Sequence, residues 1–249
     1  GIIARLENIP VLSTGVVAFL VFFGAFVEPD EKGFEKASLR AKLRTLAAGS
    51  STNLVAGLLV FLLMAGLFGP PAGVLVQEVV PNGPFDKAGF HQWDVIYAIN
   101  GRRVVTAAEF HNLMSNVIPG ERVVLTVLHN DRLESREVTT VASSGNSSRG
   151  IVGVLPGASY SPSVLGLSQY TDVHLSLALF WIYLISVSVA VFNMFPAYPL
   201  DGERMLYYPL ASLVKKRKQE FRQALSALSW GLFAANIILS LWQGGLRAI

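Results

Sequence analysis

Cysteine is absent from all 249 residues, which excludes a disulfide framework and any thiolate metal site. Charge is scarce as well. Asp, Glu, Lys and Arg make up 15% of the chain against 52% hydrophobic residues, whereas a soluble domain carries ~25% charged residues. No two of the four histidines, His91, His111, His129 and His174, stand four apart, so no imidazole pair shares one helical face. Between Val173 and Leu200 there is no Asp, Glu, Lys or Arg at all. The net charge of +3 gives no reason to invoke nucleic acid, because the cations cluster beside apolar runs.

What the chain has instead is long apolar stretches. Residues 46–68, 173–195 and 224–246 are each long enough to cross ~30 Å of hydrocarbon as a helix of ~20 residues. A fourth run, residues 11–27, is shorter, is bounded by Pro10 and Pro29, and contains Gly15 and Gly24. Its Val, Phe and Thr content suits strands, so it is predicted as a re-entrant membrane hairpin. Lys32, Lys36, Arg40, Lys42 and Arg44 precede the first span, and Arg204, Lys215, Lys216, Arg217, Lys218 and Arg222 precede the last. An excess of cations marks cytoplasmic loops. Both loops are therefore placed in the cytoplasm, and the insert between the first two spans on the opposite face.

That insert reads as one α+β module. A strand at residues 74–80 ends at Pro81-Asn82-Gly83-Pro84, and residues 85–88 make a turn of helix before Gly89. A second strand, residues 94–99, closes with Asn100-Gly101, a strong tight-turn pair. Phe110, Leu113, Met114 and Val117 mark one face of a helix over residues 107–117. Two further strands flank His129-Asn130-Asp131, and residues 143–148 form a Ser- and Gly-rich exit.

The most informative stretch is Asn193-Met194-Phe195-Pro196-Ala197-Tyr198-Pro199-Leu200-Asp201-Gly202. It sets a carboxylate at the end of a charge-free span. Ionisable groups at membrane depth are costly, and hence functional candidates. Two prolines just before the acid break the helix and free backbone groups to face a site.

This stretch resembles the N-x-x-P-x-x-x-L-D-G signature of the site-2 protease family, zinc metalloproteases that cut inside membranes. The resemblance implies that Asp201 is the third protein ligand of zinc and that Asn193 stabilises substrate or oxyanion. Gly24-Ala25-Phe26-Val27-Glu28-Pro29-Asp30 is similar to a stretch common in archaeal-type members. Asn53 matches a weaker feature and reads better as a packing residue. The insert, through Asn82 to Gly89 and Asp94 to Gly101, resembles PDZ domains of protease type. That likeness sets Gly73, Val74, Leu75 and Val76 at the carboxylate-binding loop and peptide-receiving strand. Such a groove takes an extracytoplasmic peptide or tail as an added strand; a plug that only blocks bulky substrates is the other reading.

The family also carries H-E-x-x-H on one helix, which supplies two zinc ligands and the general base, and these 249 residues contain no such motif. Gly1 to Leu6 resembles the residues directly after H-E-x-x-H in this family, so the chain is expected to be truncated and inactive by itself; a proteolytically dead relative is the rival. The expectation is a polytopic α-helical membrane protein, multi-pass in the cell membrane, with a re-entrant membrane hairpin and an inserted α+β PDZ-like domain. Its parts are residues 1–69, the PDZ-like domain at 70–143, a linker at 144–172 and a membrane part at 173–249. With zinc, the complete enzyme would cut single-span or membrane-embedded protein substrates in regulated proteolysis. The alternative is a non-catalytic membrane scaffold presenting the PDZ-like domain. No nucleic-acid partner is expected, and the lipid bilayer is the surrounding medium.

Overall fold

The computed structural model describes residues 1–19, 22–145, 147–214 and 218–245. Lys215, Lys216 and Arg217, residues 20, 21 and 146, and residues 246–249 at the end of the last apolar run lie outside them. In chain order the elements are α1 (Ile2–Leu6), β1 (Val11–Phe19), β2 (Phe22–Pro29), α2 (Glu31–Lys36) and α3 (Leu39–Leu67). Next come β3 (Gly73–Val79), α4 (Pro84–Lys87), β4 (Val95–Ile99), β5 (Arg102–Arg103), α5 (Ala107–Met114), β6 (Arg122–His129) and β7 (Arg132–Thr139). The last are β8 (Val141–Ala142), β9 (Gly150–Ile151), β10 (Val154–Tyr160), α6 (Gln169–Asn193), α7 (Asp201–Val214) and α8 (Lys218–Gly245). They form two compact units, one of residues 60–182 and one of residues 1–59 with 183–249.

Among the described residues, three helices, α3, α6 and the 219–242 portion of α8, are long and apolar enough to cross a membrane. Their outward faces stay uncovered by protein, with Leu58, Leu59, Leu62 and Leu63 of α3 all exposed. So large an apolar surface calls for lipid. The first of them starts at Leu39, ahead of the apolar run, because Ser38 Oγ accepts the Ala41 N–H (3.2 Å) and caps a charged opening turn. Gly57 has no Cβ, which would stand 2.8 Å from Val187 Cγ2; small residues let such helices approach closely. Residues 11–29 form an antiparallel pair, β1 with β2, in a register that sets Val16 opposite Ala25. Asp30 then caps α2 by accepting the Gly33 N–H (2.7 Å). Ala4, Ile9, Phe34, Ala41 and Leu46 make a small core, on which Met205 and Tyr208 of α7 pack.

The other unit holds a sheet in the order β10-β3-β4-β6-β7, with β5 beside β4. Asn100 and Gly101 both have positive φ, 49° and 75°, as the expected tight turn requires. The side chain of Asn100 also accepts the Val124 N–H (2.7 Å). Asn130 and Asp131, at φ 48° and 63°, make a second such turn between β6 and β7. Thr106 caps α5 by accepting the Glu109 N–H (3.2 Å), while Glu109 accepts the Val105 N–H (2.8 Å), a reciprocal arrangement close to a capping box. Phe110, Met114 and Val117 turn inward as their spacing predicts, onto Val74, Val76, Phe85, Phe90, Ile96 and Leu125.

Two expectations are corrected here. Residues 144–172 are not a linker throughout, because β10 is hydrogen-bonded to β3 with Val154 opposite Val79 and Tyr160 opposite Gly73. Pro156 and Gly157 disguise that strand, and proline is tolerated where a strand lies at a sheet edge. Gly73, Val74, Leu75 and Val76 accordingly do not present an exposed edge. They lie between β10 and β4; Val74 and Val76 are fully buried, and a Cβ on Gly73 would stand 2.5 Å from Val95 Cγ1.

The sheet is tied to the first turn of α6 within the same unit. Asp172, almost fully buried, accepts the Tyr160 hydroxyl (3.2 Å) and the Ser163 N–H (3.0 Å). Gln169 donates to the Trp93 carbonyl (2.8 Å). Burial, reinforced by the Asp172 carboxylate, pushes the Tyr160 hydroxyl well above the usual tyrosine range. Phe90, with no exposed surface and its ring 5.1 Å from that of Phe85, anchors the core. Phe90→Ala is expected to cost about 3–5 kcal/mol, read as faster amide exchange across β3, β4 and β6 with α7 unchanged.

Candidate functional site

The loop from α6 to α7 begins where Pro196 prevents the helix from continuing. The last turn tightens first: Met194 N–H bonds the Val191 carbonyl (3.1 Å) and Phe195 N–H that of Phe192 (3.0 Å). Beyond it, Ala197 N–H bonds Phe195 and Leu200 N–H bonds Ala197. The Tyr198–Pro199 peptide is cis. Helix α8 supplies partners for the freed backbone. Ser226 Oγ accepts the Tyr198 N–H (3.0 Å), and Trp230 Nε1 donates to the Tyr198 carbonyl (3.1 Å). The Phe195 ring lies 5.6 Å from Trp230 and 5.7 Å from Phe233, and Ala197 is fully buried.

Gly202 closes this loop on itself. A Cβ there would fall onto the carbonyl of Met194, so only glycine lets the opening turn of α7 meet the end of α6. Asn193 and Asp201 thereby stand at the two mouths of one closed loop. Met194, Pro196, Gly202, Met205 and Leu206 line an open, mainly apolar groove beside it. Burial raises the Asp201 carboxyl above the usual carboxylate range, with Arg204 opposing the shift. A desolvated carboxylate gains from a nearby cation. Two places further on, Glu203 is 1% exposed and takes a two-pronged bond from Arg222 (2.6 and 2.8 Å). Arg222 also stacks over Tyr207 at 5.0 Å. This pair fixes the first turn of α7 against α8.

Asp201 offers one oxygen donor of the right kind for zinc, but a hydrolytic zinc site takes three protein ligands and a water. Among the described residues, the one group of three or more His, Asp or Glu donors is His91, Asp94 and His129, in the other unit. Among the described residues, no such group of donors includes Asp201. His174 faces the Tyr170 carbonyl (2.8 Å) and the rings of Tyr170 and Trp93, at the other end of α6 from Asn193. His129 is mostly buried, its side chain 13% exposed. Sequence reasoning missed Glu203, Arg222, Ser226 and Trp230, whose only signal was a carboxylate two places from Asp201 and a cation in the next helix.

A charge-free span, a helix-breaking loop with an acid at its exit and two further long apolar helices together define a polytopic membrane protein. The chain belongs to peptidase family M50, the site-2 protease family, whose sequence model matches residues 1–235. An uncharacterized protein of Methanocaldococcus jannaschii is 24% identical over 260 residues, covering 97% of this chain and 65% of that protein. The zinc metalloprotease RasP of Geobacillus kaustophilus is 24% identical over 229 residues, covering 75% of this chain and 54% of its own. The chain thus spans less than two thirds of either relative. A probable periplasmic DegP-like serine endoprotease of Pseudomonas putida is 32% identical over 98 residues, which are 39% of this chain and 20% of that one.

Gly202→Ala tests the closed loop. Forcing a methyl into that contact is expected to cost about 1–3 kcal/mol, read as faster amide exchange in the first turn of α7 while β3 and β6 stay protected.

Proposed function

We propose that this chain is the part of an intramembrane zinc metallopeptidase that carries the aspartate ligand, cutting transmembrane segments of substrate proteins in regulated proteolysis. What supports this is the closed loop between α6 and α7, where Gly202 allows Met194 to approach and Asp201, next to it, is partly buried at the start of α7. The two histidine ligands and the general base belong to an H-E-x-x-H helix, which these residues do not contain. When bound, zinc polarises the scissile carbonyl and lowers the pKa of its water. Asp201 contributes one oxygen ligand. Asn193, the last residue of α6, donates its amide to the substrate carbonyl, a role suited to an oxyanion donor. The Glu203–Arg222 pair keeps the turn bearing Asp201 in register.

The hairpin of β1 and β2 is read as re-entrant, with the basic segments around Arg40 and Arg222 cytoplasmic and the module on the opposite face. Substrate tails are taken by the outer edge of β10, with α5 as the second wall. Ser159 Oγ, near the end of β10, donates to the Val105 carbonyl ahead of α5 (2.6 Å), and Gly150 of β9 donates its N–H to the Val117 carbonyl beyond it (2.7 Å); strand addition needs such an edge. A scaffold that only presents this module is the second reading, favoured by the missing H-E-x-x-H.

Three outcomes check the proposal. In a form of the protein that includes an H-E-x-x-H helix, Asp201→Ala should weaken zinc binding and abolish cleavage of a single-span substrate. Asn193→Ala should keep the zinc and slow cleavage by roughly 10²–10³-fold. Loss of zinc with Asn193→Ala, or full activity with Asp201→Ala, would reverse the roles; no cleavage by any form would leave the scaffold. Single cysteines replacing Arg40 and Asn130 should react differently with a membrane-impermeant label on intact cells, with only position 130 accessible.

A further inference from the structure

His91 and His129 come from different elements of the soluble module and meet over one carboxylate. His91 lies in the turn before β4, where its N–H donates to Asp94 Oδ2 (2.7 Å). His129 ends β6, and its Nδ1 is 2.8 Å from the same oxygen. The two imidazoles stack with centroids 5.4 Å apart and planes at 24°. Asp94 is 5% exposed, whereas His91 faces solvent, so the cluster has a rigid floor and an open mouth. One donor atom from each of the three residues lies within 4.8 Å of the other two.

We propose that His91, Asp94 and His129 form a binding site for a divalent transition-metal ion of zinc type, distinct from Asp201. Two imidazoles and a carboxylate are a donor set that suits such an ion, with water in the fourth position. Bonds of ~2.0–2.2 Å in a tetrahedron set neighbouring ligand atoms ~3.3 Å apart. The His129–Asp94 separation therefore has to open by roughly half an ångström, and the exposed ring of His91 is free to swing in.

The surrounding groups already suit a ligating His129. Asn130 Nδ2 lies 2.8 Å from His129 Nε2. Without metal, this network assigns the ring proton to Nδ1, which donates to Asp94, while Asn130 donates to Nε2. Metal binding through Nδ1 moves that proton to Nε2, and the exposed amide of Asn130 turns to accept it through its oxygen. The ring stays neutral throughout, and no proton is left without a partner. Outer partners of this kind fix the tautomer and orientation of ligating histidines. The Phe90 ring, edge-on at 5.9 Å, and the pairing of Val95 with Leu128 hold the floor in place. The ion would clamp the turn before β4 to the end of β6.

Zinc itself is the probe. The chain of residues 1–249 carrying Asp201→Ala, purified in detergent, stripped with chelator and dialysed against zinc, should retain one zinc per chain by elemental analysis. Adding His91→Ala should weaken that binding by at least about tenfold, the lower end of what outer-partner changes cost, and His129→Gln should do the same. His91 is exposed, so its replacement does not threaten the fold, and unchanged amide exchange in β3, β4 and β6 confirms this for each variant. No zinc retained by the Asp201→Ala chain, or zinc retained equally in both histidine variants, would overturn the site.

Discussion

The membrane unit depends on one constraint: a backbone broken by proline in apolar surroundings must have its freed polar groups satisfied by its own neighbours. At the α6–α7 loop those neighbours come from α8. Ser226 and Trp230 serve both backbone groups of Tyr198, and the bare α-carbon of Gly202 lets the loop's two ends close. Removing any one of these leaves an unsatisfied group or a collision. The same closure sets Gly202 beside the open groove, next to the partly buried Asp201.

A second buried acid shows the contrast. Glu203 is more deeply buried than Asp201, yet Arg222 neutralises it through two bonds. Arg222 keeps contact with water, which limits the desolvation cost of that pair. Asp201 has only the weaker influence of Arg204. One acid is thus committed to structure, while its neighbour two places earlier is partly buried, with Arg204 nearby.

Much of this was legible in the sequence because the signals are local. The turns at Asn100-Gly101 and Asn130-Asp131 declare themselves through residues that tolerate positive φ. The three spans follow from uninterrupted apolar length, and the hairpin from the prolines that bound it. Asp201 and Asn193 were singled out by motif, and the loop geometry gives that motif a physical reason in Gly202. What escaped was non-local. β10 reads as a loop because Pro156 and Gly157 interrupt it, and only its pairing with β3 reveals it. That pairing moved the free edge away from Gly73–Val76. The partnerships of Glu203 with Arg222 and of Asp94 with His129 join segments whose proximity no periodicity encodes.

The absence of cysteine gives the most direct test of the central claim that position 201 is a metal ligand. In a form of the protein that includes the H-E-x-x-H helix, Asp201→Cys introduces the only thiol among these 249 residues. Loaded with cobalt in place of zinc, that variant should show a near-ultraviolet thiolate-to-cobalt charge-transfer band that the parent protein lacks. Cobalt bound at the catalytic histidines of the Asp201→Cys protein without such a band would contradict the account.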